Sequence, residues 1–273
     1  MAFRMLSMDF DTLGTSNSYF RILANTLVKY VVIAPGAMDA ESLDDMPLNF
    51  VNILPPLPYD DDGWTTAYIS RDSAGGELVT SLSASQLNGV TDLWHPNTID
   101  FRQLQLLKPL TALVDECEWA ALEPNPHGQN TTMVAKMARF HWAVAYVERE
   151  TRIYALLEGT GIAPRFLGHI HEQGRTMGFL LEKVAGRHAG IDDLSICAAA
   201  LGRLHALGIS HGDCNRYNFI IGADDKVTLI DFEHCTVGTS RDAMQADMDS
   251  LPDQLTEESG RGGGFRTVLD DEV

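Results

Sequence analysis

Apolar residues recur at helical spacing most clearly over residues 192–207. Leu194, Cys197, Leu201 and Leu204 stand there at i, i+3, i+7 and i+10. Asp192 or Asp193 supplies an N-terminal cap, and Gly208 ends the run. Residues 142–157 predict a second helix, with Ala143, Val147, Ile153 and Leu157 on its apolar positions, broken by residues 159–164. Residues 242–255 predict a third, with Pro252 near its end. Strand-like runs cover 29–34, 50–54, 110–119 and 131–140, the last with Lys136 inside it. Two hairpins are predicted, 64–71 with 77–83 and 165–171 with 176–183. Residues 1–12 have no clear period, 37–47 are acidic and expected to be exposed, and 122–130 are rich in turn residues. Residues 259–265 read as a flexible tail whose glycines are linker. No internal repeat is present.

The chemistry concentrates between His211 and Glu233, in H-G-D-C-N-R-Y-N-F-I-I, a polar turn, then V-T-L-I-D-F-E. Phe219–Ile221 and residues 227–230 are apolar runs around the turn 222–225, which predicts a third hairpin. Closing it brings the loop before it and the residue after it to the same end. Asp213, Asn218 and Asp231 then converge on one small volume. Hard oxygen donors without Cys or His suit Mg²⁺.

That arrangement resembles the catalytic loop and metal-binding strand end of the protein kinase and aminoglycoside phosphotransferase superfamily. The pattern there is H-x-D-x-x-x-x-N followed by D-F-G. Gly212 after the histidine is closer to the small-molecule kinases and their fungal kinase-like relatives than to regulated protein kinases. Met133-Val134-Ala135-Lys136 resembles the V-A-I-K strand, whose lysine pairs with nucleotide phosphates. The resemblance implies an α+β, two-lobed fold: an N-terminal extension (1–105), a β-rich small lobe (106–184) and a shortened, mainly helical large lobe (185–273). It implies ATP and Mg²⁺ as cofactors, Asp213 as base or orienter of a hydroxyl, and Asn218 and Asp231 as metal ligands. Lys136 would hold the phosphates and Glu150 would hold Lys136, with Glu148 the rival. Leu181 would guard the back of the adenine pocket, with the Glu182 carbonyl and the Val184 amide at the hinge.

Three departures from the pattern stand out. No G-x-G-x-x-G precedes Lys136, Gly128 being the only glycine expected in that loop. Glu233 replaces the glycine after Asp-Phe, and no A-P-E follows. They keep a second reading open: a pseudokinase that binds nucleotide or a partner without useful turnover. A hydrolase using two of Asp213, Asp231 and Glu233 as an acid/base pair leaves Lys136 and Asn218 unexplained.

Bulk properties narrow the partners. With 273 residues, 45% of them hydrophobic, there is ample core for one large domain or two lobes. A formal charge of -18 argues against nucleic acid and against an anionic membrane surface. It makes a cationic or neutral acceptor easier to accommodate than an acidic one. The acceptor itself, protein or small molecule, is not legible. The apolar stretch 19–38 is interrupted by Arg21, Lys29 and Pro35, so no bilayer span is expected. Cys117, Cys197, Cys214 and Cys235 have no C-x-x-C spacing and read as reduced thiols of a cytoplasmic protein.

Overall fold

In the computed structural model, which describes residues 3–11, 13–73, 76–120 and 132–264, the apolar runs form sheets in two separate units. The first is Met1–Asn88 with Arg139–His141, and the second is Gly89–Ala138 with Trp142–Val273. Elements of both kinds are mixed in the chain, giving an α+β architecture.

The first unit holds β1 (Phe3–Asp9), β2 (Ser18–Ala24), β3 (Leu27–Ile33), β4 (Thr66–Arg71) and β5 (Leu78–Ser83), hydrogen-bonded in that order. Only β3–β4 is parallel, and a parallel pair needs a crossover. α1 (Ala40–Ile53) supplies it, capped by Asp39, whose side chain accepts the Ser42 amide at 2.7 Å. Leu43, Met46 and Phe50 of α1 pack with Phe20, Val31, Ile69 and Trp64. The sequence pattern had this segment as an exposed acidic stretch followed by a strand. Pro47 lies inside the helix and Asn49 is non-helical, so a kink splits the apolar stripe that would have revealed it. β1 was likewise missed, because its residues are only partly buried and do not alternate.

The second unit contains a six-stranded sheet of β6 (Thr98–Asp100), β7 (Leu104–Pro109), β8 (Val114–Trp119), β9 (Met133–Met137), β10 (Phe166–Glu172) and β11 (Arg175–Glu182), in the order β6-β10-β11-β9-β8-β7. β6 pairs with β10, so residues 89–105 belong with this unit although the sequence reading placed them in the extension. Residues 110–113 are a turn between β7 and β8 rather than the start of a strand, with Thr111 Oγ1 accepting the Leu113 amide at 3.3 Å. The expected connection at 122–130, Gly128 included, lies outside the described residues. The β10–β11 turn is Gln173-Gly174, both with positive φ, the conformation a two-residue hairpin requires.

α2 (Val144–Leu157) follows β9 and buries Val147, Glu150, Ile153 and Tyr154. After β11 come β12 (Arg187–His188), α3 (Leu194–His205), β13 (Ile209–Ser210), β14 (Phe219–Ile221), β15 (Val227–Leu229), β16 (Thr236–Val237) and α4 (Arg241–Thr256). β14 and β15 are the predicted hairpin, joined at its edge by β12, while β13 pairs with β16. A single core runs through this unit, including Tyr154, Phe179, Leu201, Phe219, Leu229 and Phe232. Among the described residues no helix is long and apolar enough to cross a membrane.

β10 carries one fully buried imidazole, His169, against the rings of Trp94 and Phe166. Its Nε2 accepts the His95 amide at 3.3 Å, which requires the unprotonated nitrogen. Burial, aided by neighbouring His95, lowers its pKa from 6.5 to about 4. The unfolded chain therefore binds a proton near pH 6.5 that the native state refuses, and stability falls as pH drops from there toward 4. The melting temperature should decline between pH 7 and 5, and His169→Asn should flatten that slope. An unchanged slope in the variant would show that His169 is not responsible.

Candidate active site

The helix α3 delivers the chain through β13 into the loop that begins at His211. This histidine is fully buried, with its ring 5.5 Å from that of Phe232 and stacked at 6.4 Å on that of Phe219. Burial lowers its pKa against the opposing pull of Asp247 and Asp213. Its Nε2 lies 3.2 Å from the Ile230 carbonyl, tying the loop to the end of β15. Gly212 has φ +78, and a Cβ there would sit 2.7 Å from the His234 carbonyl oxygen, so glycine is required at this step.

Asp213 follows. Asn215 caps the next turn by accepting the Tyr217 amide at 3.0 Å, while its Nδ2 donates to Asp213 Oδ2 at 2.9 Å. Asn218 Nδ2 donates to the Asp213 carbonyl at 2.9 Å and to its Oδ2 at 3.3 Å. The Asn218 amide is thereby oriented, and its Oδ1 is the atom not committed to Asp213.

Asp247 of α4, which the sequence did not single out, holds this loop from behind. Its carboxylate accepts the His211 amide at 2.7 Å and the Gly212 amide at 3.0 Å, and lies 3.0 Å from His205 Nε2. Asp247→Ala is expected to cost about 1–3 kcal/mol for each buried N–H left without an acceptor, measured by urea denaturation. Asp247→Asn keeps one acceptor oxygen and should lose less. Equal losses would show that the carboxylate does not brace the loop.

A second cluster gathers around a buried lysine. Lys136 of β9 is buried, and its Nζ lies 2.6 Å from Glu150 Oε2, 2.7 Å from Asp231 Oδ1 and 2.8 Å from Glu233 Oε2. Glu148, the rival partner, instead accepts the Thr91 amide at 3.0 Å. Burial alone would push the Lys136 ammonium down; the carboxylates, Glu150 foremost, outweigh it and hold the group charged. Glu150 Oε1 also accepts the Phe232 amide at 3.2 Å, and Arg149 donates to the Glu233 carbonyl at 3.0 Å. Two consecutive α2 residues thus grip the Asp-Phe-Glu segment. Asp231 has φ +63, a left-handed backbone that aspartate tolerates better than most residues and that often marks functional positions. Glu233 in the glycine's place therefore adds a third carboxylate to the lysine, a contact between residues 97 positions apart that no local pattern reveals.

Glu150, Asp231 and Glu233 bring ligand oxygens within 4.8 Å of one another. Three carboxylates to one ammonium is a surplus of negative charge that a divalent cation would offset, and an oxygen-only donor set suits Mg²⁺. Asn218 borders the same cavity as Asp231.

Lys136 and Asp231 open on a cavity of about 440 Å³. Val114, Val134, Leu181 and Ile220 form apolar walls, and Glu182 and Val184 also line it. Asp213 opens on another, of about 790 Å³, shared with Asn215, His234, Thr236, Thr239 and Arg261. Gly262 borders both, and Gly263 and Gly264 border the first. The tail read as free linker is thus packed against the site, a placement that composition alone cannot disclose.

No curated protein matches the chain. Residues 184–260, which contain the Asp213 loop, the hairpin, Asp231 and the bracing helix α4, match the sequence model of the Lipopolysaccharide kinase (Kdo/WaaP) family. Over that stretch the chain is similar to a kinase family that belongs to the protein-kinase-like superfamily.

Proposed function

We propose that this protein is an ATP- and Mg²⁺-dependent kinase-like phosphotransferase that moves a γ-phosphoryl group to a hydroxyl of a small-molecule or protein acceptor. The observation that carries the reading is the contact of Lys136 with both Glu150 and Asp231 beside a cavity of nucleotide size. In this reading the six-stranded sheet and α2 act as the small lobe, and α3, α4 and the hairpins as a shortened large lobe. Leu181 and the backbone of Glu182 and Val184 take the adenine. When bound, Mg²⁺ neutralises charge on the β- and γ-phosphates. Lys136, freed from Asp231, pairs with phosphate oxygens while Glu150 holds it in place. Asp213, steadied by Asn215 and Asn218, accepts the proton of the acceptor hydroxyl or aligns that hydroxyl for in-line attack. The buried, unpaired cysteines suit a reducing cytoplasm.

The pseudokinase reading draws support from the shortened large lobe and the missing glycine loop: the β7–β8 turn, residues 110–113, has no glycine to close over phosphates. Thermal melts with ATP, with and without Mg²⁺, followed by ADP-release measurements, separate the two. A ligand at a hundred times its Kd stabilises by about 2.7 kcal/mol, several degrees for a protein this long. A Mg²⁺-dependent shift with turnover is expected. A shift without turnover favours the pseudokinase, and no shift with any nucleotide defeats the phosphotransferase and leaves only a partner-binding pseudokinase.

A further inference from the structure

We propose that residues 261–264, Arg-Gly-Gly-Gly, are a strap that closes the phosphate end of the nucleotide cavity; this rests on the phosphotransferase reading above. The three glycines are fitted to their neighbours rather than loose. A Cβ on Gly262 would lie 2.7 Å from Asn215 Nδ2, one on Gly263 2.9 Å from the Tyr217 ring, and one on Gly264 2.3 Å from the Leu110 carbonyl oxygen. The segment therefore bridges the loop of Asp213 and the β7–β8 turn, most tightly at Gly264, where the neighbour is backbone and cannot give way. Gly262 and Gly264 also have φ of +84 and +72, a region that disfavours side chains.

Position and chemistry agree on what the strap covers. The same glycines line the cavity of Lys136 and Asp231. With the strap seated that cavity still measures about 440 Å³, inside the usual range for ligand pockets of roughly 300–1,000 Å³. A plug would have filled it; a cover leaves the room. Finally, the turn 110–113 (Leu-Thr-Ala-Leu) has no glycine. Close approach of backbone to phosphate is what glycine permits, and here the tail brings it to the turn from the other end of the chain.

The test uses the 273-residue protein and two variants, Gly264→Val and Gly263→Val, the second free of the positive-φ penalty. Two readouts are taken: Mg·ATP affinity by calorimetry, and the rate of trypsin cleavage after Arg261, located by mass spectrometry. The strap predicts affinity at least about tenfold weaker in both variants, equivalent to about 1.4 kcal/mol, with melting temperatures near wild type. It predicts faster cleavage after Arg261 in the unliganded variants, and protection of that bond by Mg·ATP in the wild type. Unchanged affinity and cleavage in the variants would overturn the strap while leaving the nucleotide site standing. Tighter binding in the variants would overturn it too, making the segment a plug. A wild type that binds no Mg·ATP takes down both readings. The unliganded cleavage rates would then still report whether the segment is seated, which separates the two failures.

Discussion

Asp231→Asn should reduce Mg²⁺-dependent ATP consumption by about 10³-fold or more, the scale expected when a principal holder of transition-state charge is lost. The substitution is chosen because little else should change. Asparagine tolerates the left-handed backbone at φ +63 about as well as aspartate does. Lys136 keeps Glu150 at 2.6 Å and Glu233 at 2.8 Å, so the lysine stays anchored. One negative charge leaves a cluster with three carboxylates and one ammonium, which relieves repulsion in the metal-free protein. The unliganded variant should therefore melt at or above the wild-type temperature while Mg²⁺ no longer strengthens its hold on ATP. Wild-type turnover in this variant would remove the metal assignment. A lowered melting temperature would instead give Asp231 a structural role.

What could be read from the chain follows how local each signal is. The β14–β15 hairpin declared itself because two apolar runs and their turn lie within eleven consecutive residues, Phe219 to Leu229. α3 did so because its stripe of Leu194, Cys197, Leu201 and Leu204 is uninterrupted. Asp213, Asn218 and Asp231 could be singled out because that hairpin joins the segments that carry them, and Lys136 and Glu150 because their strand and helix resemble those of the superfamily. Asp247 was not found: an aspartate on a helix carrying several others looks solvated until its loop is in place. α1 was hidden by Pro47, and β6 is three residues long, too short for any periodicity. The glycine segment failed for a different reason. Glycine is chosen there for what lies opposite it, namely Asn215, Tyr217 and Leu110, and none of them is near in sequence.

Asp213→Asn should separate chemistry from binding. The Oδ2 position accepts from Asn215 Nδ2 at 2.9 Å and from Asn218 Nδ2 at 3.3 Å, and the amide oxygen of the new asparagine can take over that role. The loop should keep its shape, with the Asn218 amide still oriented by the Asp213 carbonyl at 2.9 Å. What disappears is the second carboxylate oxygen of a residue that borders the 790 Å³ cavity, the atom that the proposed mechanism has receive or align a hydroxyl proton. The amide nitrogen that replaces it can only donate. Turnover should fall by about 10²–10⁴-fold, the range for a positioned general base. The Mg²⁺-dependent thermal shift with ATP should persist, because Lys136 and Asp231 are untouched. Loss of both turnover and the ATP shift would mean that Asp213 holds metal rather than the acceptor. Full retention of turnover would move the acceptor site elsewhere. The two substitutions form a crossed pair, since Asp231→Asn should lose the nucleotide shift and the chemistry together, whereas Asp213→Asn should lose the chemistry alone.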